Sequence, residues 1–205
     1  QTVSDASVSP GKKRKRIDFL SSSEKTEEIS SLFFLRKTKV ICPQGNLYEG
    51  YFDHNKLCIY GQVHYIDGSF YQGSFEQGVP HGLGKFVSPN GDVYEGKFDH
   101  GMQQGHGTVR FSDGSFYEGM FNKGQASGSG RLNYPNGTFY VGQFSEDHPH
   151  GYGKLIYPSK KMYYLGFFKK GCFHGPGRLV YHDGSISKGL FKMGRLISSA
   201  ERGFL

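Results

Sequence analysis

The chain has no tryptophan, three cysteines and eight prolines in 205 residues. Cys42, Cys58 and Cys172 contain no Cys-x-x-Cys pair, and an odd number closes no complete disulfide framework, so a reducing compartment is expected. No apolar run approaches the roughly 20 residues that a membrane-crossing helix needs. No charged and then apolar leader with a cleavage site opens the sequence. Gln1 in place of Met is what a processed chain or an excised fragment would carry.

A concentrated basic surface is also lacking over most of the chain. The formal charge is +7, but residues 1–40 hold nine Lys/Arg against five Asp/Glu, and residues 41–205 hold sixteen against thirteen. The body therefore has no stripe suited to a phosphate backbone, and no sequence-specific nucleic acid is expected as a partner. The excess sits in Lys12, Lys13, Arg14, Lys15 and Arg16. Five adjacent cations stay solvated and fit a nuclear-import signal, giving a nuclear or nucleocytoplasmic location. The same run fits a basic arm that touches anionic lipid, with a cytoplasmic, membrane-peripheral location. Ser21-Ser22-Ser23-Glu24 reads as a capping box, and Ile29, Leu32 and Phe33 follow helical spacing, so a short helix is expected over 24–35. Residues 1–40 thus read as a basic, partly disordered arm.

What is abundant is glycine, with 31 residues, and aromatics, with 14 Tyr and 18 Phe. Many tight turns between short aromatic strands make an all-β body. Its organising unit is Tyr-x-Gly-x-Phe, which begins at Tyr48, Tyr71, Tyr94, Tyr117, Tyr140, Tyr164 and, with serine for tyrosine, Ser187. The spacings are 23, 23, 23, 23, 24 and 23 residues, and such a period marks a repeat architecture. A turn precedes each copy, as in Asp67-Gly68, Asn90-Gly91, Asp113-Gly114, Asn136-Gly137 and Asp183-Gly184, and a Gly-x-Gly pair such as Gly105-His106-Gly107 follows. Asx-Gly between aromatic runs predicts a hairpin closed by a type I′ turn.

Strand alternation puts Tyr94, Gly96 and Phe98 on one face, and the turn register adds Gly84 and Phe86 to it. Glycine there lets a neighbouring ring lie against the backbone, so stacked rings supply the core. The other face carries Gln62, Lys85, Thr108, Arg131, Lys154 and Arg178 opposite Glu95 and Glu118, and is expected to be solvated and salt-bridged. It turns apolar near Val141, Leu165, Phe167, Ile186 and Leu190, and the candidate homodimer contact lies near Leu165 and Phe167.

Tyr-x-Gly-x-Phe followed by His-Gly-x-Gly at this spacing resembles the MORN (membrane occupation and recognition nexus) repeat over roughly residues 43–195. The resemblance implies an elongated, twisted, single-layer antiparallel meander of about seven β-hairpin repeats, here assigned to residues 41–195. It also implies an aromatic groove that takes a peptide or helix of a partner protein. The family often has tryptophan where this chain has Phe52, Phe75, Phe98, Phe121, Phe144, Phe168 and Phe191, which removes an indole donor from that row. Residues 196–205 read as a C-terminal cap, a short helix or tail.

No catalytic site, cofactor or metal site is expected. Equivalent histidines such as His81, His150 and His174 recur at one repeat position, and such positions lie roughly 10 Å apart, too far to converge on an ion. The densest acid and imidazole cluster, Asp147-His148-Pro149-His150, has no accompanying nucleophile. Three functions from different classes follow: a non-catalytic scaffold, a phosphoinositide or anionic-membrane module, and a targeting or regulatory segment of a larger enzyme. The scaffold reading comes first, because a one-layer sheet leaves part of its aromatic face exposed. Its groove would be lined by Tyr71, Phe75, Tyr94, Phe98, Tyr117, Phe121, Tyr140, Phe144, Tyr164 and Phe168.

Overall fold

The computed structural model describes residues 37–53 and 55–204. The basic run Lys12–Arg16 and the helix expected over 24–35 lie outside them.

The described residues form one open antiparallel sheet in which every strand pairs only with its neighbours in sequence. In order these are β1 (Lys37–Ile41), β2 (Leu47–Phe52), β3 (Cys58–His64), β4 (Phe70–Glu76), β5 (Val79–Val87), β6 (Val93–Asp99), β7 (Met102–Arg110), β8 (Phe116–Asn122), β9 (Gln125–Asn133), β10 (Phe139–Ser145), β11 (His148–Tyr157), β12 (Met162–Lys169), β13 (Cys172–Val180), β14 (Ser185–Lys192) and β15 (Arg195–Phe204). A 3₁₀ turn, Pro158–Lys160, joins β11 to β12 and absorbs the extra residue of that copy. Fifteen strands about 4.8 Å apart make a ribbon roughly 65–70 Å long. The meander expected from the repeat is what forms, and the expected register holds, with Gly84 opposite Gly96 and Phe86 opposite Tyr94.

The structure corrects the sequence reading at both ends of the array. Lys37 to Val40, assigned above to the arm, belong to strand β1, which pairs with β2. The C-terminal segment expected as a helix or tail is β15, because the Met193-Gly194 turn reverses the chain and lays it along β14.

The turns are corrected as well. In the Asx-Gly loops only the glycine takes positive φ, as at Gly68 (+87°) and Gly114 (+89°). Gly114 N–H donates to Phe111 O at 3.0 Å and Phe111 N–H to Ser115 O at 2.9 Å, the pattern of a four-residue turn with a glycine bulge. The Asx side chain explains the choice: Asp67 Oδ1 accepts the Ser69 N–H at 2.8 Å and Asp113 Oδ1 the Ser115 N–H at 2.7 Å. Two-residue turns with both residues at positive φ occur at the opposite ends of the strands, at Gln77-Gly78, His100-Gly101, Lys123-Gly124, Lys170-Gly171 and Met193-Gly194.

The core is a ladder of rings over a line of glycines. Each buried tyrosine stands edge-on between two phenylalanines: Tyr94 between Phe98 (5.1 Å) and Phe121 (4.9 Å), and Tyr117 between Phe121 (5.2 Å) and Phe144 (4.9 Å). Such pairs add about 0.5–1.5 kcal/mol each beyond their buried area. The tyrosine folds back over its own strand, so that Tyr94 Oη donates to Lys97 O at 2.8 Å and Tyr140 Oη to Gln143 O at 2.8 Å. The two glycines of each Gly-x-Gly pair do different work. Gly105 takes φ +70° where the ladder bulges opposite Lys97, and Gly107 leaves the space that the Tyr94 ring fills.

Candidate functional site

With one layer, the sheet offers two faces. The tyrosine face holds a trough of about 320 Å³ over its middle strands. Tyr94, Tyr117, Phe121 and Phe144 form its floor, and Phe86, Val109, Phe111 and Leu132 its walls. All ten aromatic residues expected to line a groove are brought into one row, but none projects. Their exposures run from 0% to 6%, because each ring is covered by the rings of the neighbouring hairpins and by the next strand. The row expected to line the groove therefore underlies the trough, with Tyr94, Tyr117, Phe121 and Phe144 as its floor, and does not project into it. The surface open to another molecule is the half-buried line Phe86, Val109, Leu132, Leu155 and Leu179, packed against the ladder, together with Phe111 at 37% exposure. These residues sit at alternate positions after the second glycine of each Gly-x-Gly pair. The smaller Val109, Leu132, Leu155 and Leu179 at this position, beside large rings, were the sequence signal for a wall.

The charged members of the lining are Asp92 and Asp147. Asp92 Oδ1 accepts the Ser112 N–H at 2.8 Å, which holds its carboxyl below the usual range, and Asp147 Oδ1 accepts the Ala126 N–H at 2.7 Å. The trough thus joins an apolar floor to an anionic rim.

Burial pushes the Tyr94 and Tyr117 hydroxyls up to about 12, for Tyr117 with the Asp147 carboxylate adding to the burial, and it raises Tyr71 and Tyr140 as well. At neutral pH they remain hydrogen-bond donors. An ordinary tyrosine ionises near 10, so the folded state favours the protonated form. That stability is fully present below about pH 10 and is lost as pH rises from there toward 12. Tyrosinate absorbance and sheet circular dichroism recorded together should show the buried tyrosines ionising as the sheet signal collapses. Ionisation of every tyrosine near pH 10 with the sheet intact would contradict the ladder.

The reverse face differs from its expectation in one row. Lys85 pairs with Glu95 at 3.0 Å, but Arg131 lies over the Phe139 ring at 4.3 Å and Lys154 over Tyr163 at 4.0 Å. Lys154 stands between Val141 and Leu165, and Arg131 between Val141 and Glu118, with the Arg131 guanidinium on the Phe139 ring. Further along, Tyr152, Leu165, Phe167, Pro176 and Leu190 line an open apolar groove of about 500 Å³. Phe167 is 45% and Leu190 47% exposed.

Imidazoles and carboxylates also come together, against the expectation from repeat spacing. Equivalent positions do stay apart, but the two-residue turns at Gly101, Gly124, Gly171 and Gly194 dock on the preceding repeat, as Gly101 N–H does on Pro80 O at 2.8 Å. Non-equivalent residues then meet, and His81, Asp99 and His100 form one cluster. The sequence cluster 147–150 does not converge in this way: Asp147 is engaged by Ala126, and His148 Nδ1 contacts the Glu146 carbonyl.

The MORN repeat family model matches residues 71–93, 94–116, 117–139, 140–162 and 164–186. The chain belongs to the MORN-repeat family. The five matched repeats are the copies with an intact tyrosine and a following Gly-x-Gly; the copy at Tyr48 and the serine-bearing copy at Ser187 lie outside the match. Among solved structures, the MORN chain is similar to the TCP domain of SAS-4 (dCPAP) from Drosophila melanogaster, solved in complex with a proline-rich motif of Ana2 (dSTIL). The identity is 11% and the TM-score 0.45, covering 87% of this chain and 99% of that one. No curated protein matches the chain by sequence.

Proposed function

We propose that this MORN array is a non-catalytic interaction scaffold whose tyrosine-face trough takes a short apolar segment, flanked by basic residues, from a partner protein. The observation that carries the reading is the trough itself. A single-layer sheet seals its tyrosines and phenylalanines beneath one another, yet leaves Phe86, Val109, Phe111 and Leu132 around an open floor. Apolar concave surfaces with few polar groups favour ligand capture, and Asp92 and Asp147 at the rim favour a cationic flank over an acidic one.

A peptide library displayed on phage and selected against the full chain tests this. Selected peptides should carry apolar residues beside Lys or Arg. Leu132→Asp should weaken their binding by about 100-fold, as loss of a central contact does. Phe111→Ala, at a more exposed position, should weaken it with the fold untouched, whereas Leu190→Asp on the reverse face should have no effect. Selected peptides that bind all three variants as they bind the wild type would refute the assignment.

A further inference from the structure

One side-chain cluster is left unused by the trough. At the edge where the turn between β6 and β7 meets β5, His81 Nδ1 lies 3.2 Å from Glu76 Oε2 and 3.5 Å from Asp99 Oδ1. His100 Nδ1 lies 2.7 Å from the same Asp99 oxygen, and the two imidazole rings meet edge to face with centroids 5.4 Å apart. The ligand atoms of His81, Asp99 and His100 all fall within 4.8 Å of one another.

The hydrogen bonds around His81 conflict. In the next repeat the equivalent residue is Gln104, whose Oε1 accepts the Lys123 N–H at 3.0 Å. His81 Nδ1 faces the matching His100 N–H at 3.4 Å, a long contact, while two carboxylates face the same nitrogen. One ring nitrogen cannot both accept from an amide and donate to carboxylates. A cation among these atoms takes the Nδ1 lone pair and turns the carboxylate contacts favourable, and the exposed His100 N–H passes to solvent.

We propose that Glu76, His81, Asp99 and His100 form a site for one divalent transition-metal ion of the zinc class, which staples the turn at His100-Gly101 to the preceding hairpin. Two carboxylates and two neutral imidazoles carry two negative charges, which one such ion neutralises. Imidazole with carboxylate selects zinc-like ions over magnesium or calcium, which prefer all-oxygen sites. Tetrahedral bonds of about 2.0–2.1 Å place neighbouring ligand atoms about 3.3–3.4 Å apart. The two His81 separations already match, and Glu76, outside the 4.8 Å group, closes on the ion by rotation of its exposed side chain. The Asp99 to His100 hydrogen bond opens by about 0.6 Å as the ion replaces its proton.

The set is not part of the repeat architecture. One repeat later the same places hold Asp99, Gln104, Asn122 and Lys123, and two repeats later Asn122, Ser127, Ser145 and Glu146.

The next repeat also supplies variants that this fold already accommodates, His81→Gln and His100→Lys. Calorimetric titration of the chelator-stripped full chain with zinc chloride should show one saturable site. Each variant should weaken it by at least about 100-fold while circular dichroism stays that of the wild type. Cobalt(II) should give a visible tetrahedral spectrum without a thiolate charge-transfer band, and zinc should raise the thermal midpoint of the wild type alone. The proposal fails if the wild type has no saturable zinc site, if both variants bind as the wild type does, or if cobalt reports cysteine ligation.

Discussion

Tyr117→Ala is expected to destabilise the array by about 4 kcal/mol, the cost of emptying a large aromatic site in a close-packed core. Tyr117 is 2% exposed and is the ring on which Phe121 and Phe144 both lean, at 5.2 and 4.9 Å. Its removal breaks the ladder in the middle of the sheet. Repeat stability is a sum of units and their nearest-neighbour interfaces, so a central break uncouples the two sides. Urea unfolding followed by circular dichroism should show an earlier midpoint with a broadened or two-step transition. Tyr117→Phe keeps both ring contacts and loses the hydroxyl donation to Met120 O at 3.0 Å, so it should cost only about 1 kcal/mol. Equal stability for the Ala and Phe variants would show that the ladder does not hold the sheet.

The second large effect is expected from a single added methyl group. In Gly130→Ala the new Cβ would lie 2.5 Å from Tyr117 Oη and 2.7 and 2.8 Å from its Cε2 and Cζ. The ring must leave its seat, because Gly119 and Gly130 face each other across the strands beneath it and neither backbone can retreat. Overpacking of this kind costs about 3 kcal/mol. Gly137→Ala is the control: a Cβ there meets nothing within 4 Å, and only its φ of +80° is strained, worth about 1 kcal/mol. The two thermal midpoints, measured side by side, separate ring displacement from turn strain. Equal losses would contradict the assignment of Gly130 to the tyrosine seat.

The repeat was legible in the sequence because its rule is local. A tyrosine that folds over the glycine two residues on needs that glycine in every copy, and the period of 23 residues follows at once. The turns were not legible, because the Asx-Gly pairs that signal a type I′ turn spend their side chains on the next amide, as Asp113 does on Ser115. The two-residue turns fall on Gln77, His100, Lys123 and Lys170 at positive φ, residues without that signal, held there by strand register. At the candidate site, the sequence found the rings and their part in the core, but not that their mutual coverage leaves none projecting into a groove. Coverage comes from the neighbouring hairpin, Phe121 over Tyr94 and Phe144 over Tyr117, and only the cross-strand register reveals it. The cluster of His81, Asp99 and His100 was missed for a related reason: it joins different positions of successive repeats, which a comparison of equivalent positions cannot bring together.

Methyl NMR of the labelled chain, titrated with a peptide selected from the displayed library, tests the trough most directly. Val109, Leu132 and Leu155 line one face, and Leu165 and Leu190 lie on the other. Shifts confined to Val109, Leu132 and Leu155 are the result expected of a scaffold that binds along its tyrosine face. Shifts confined to Leu165 and Leu190 would place recognition on the reverse face and contradict the account.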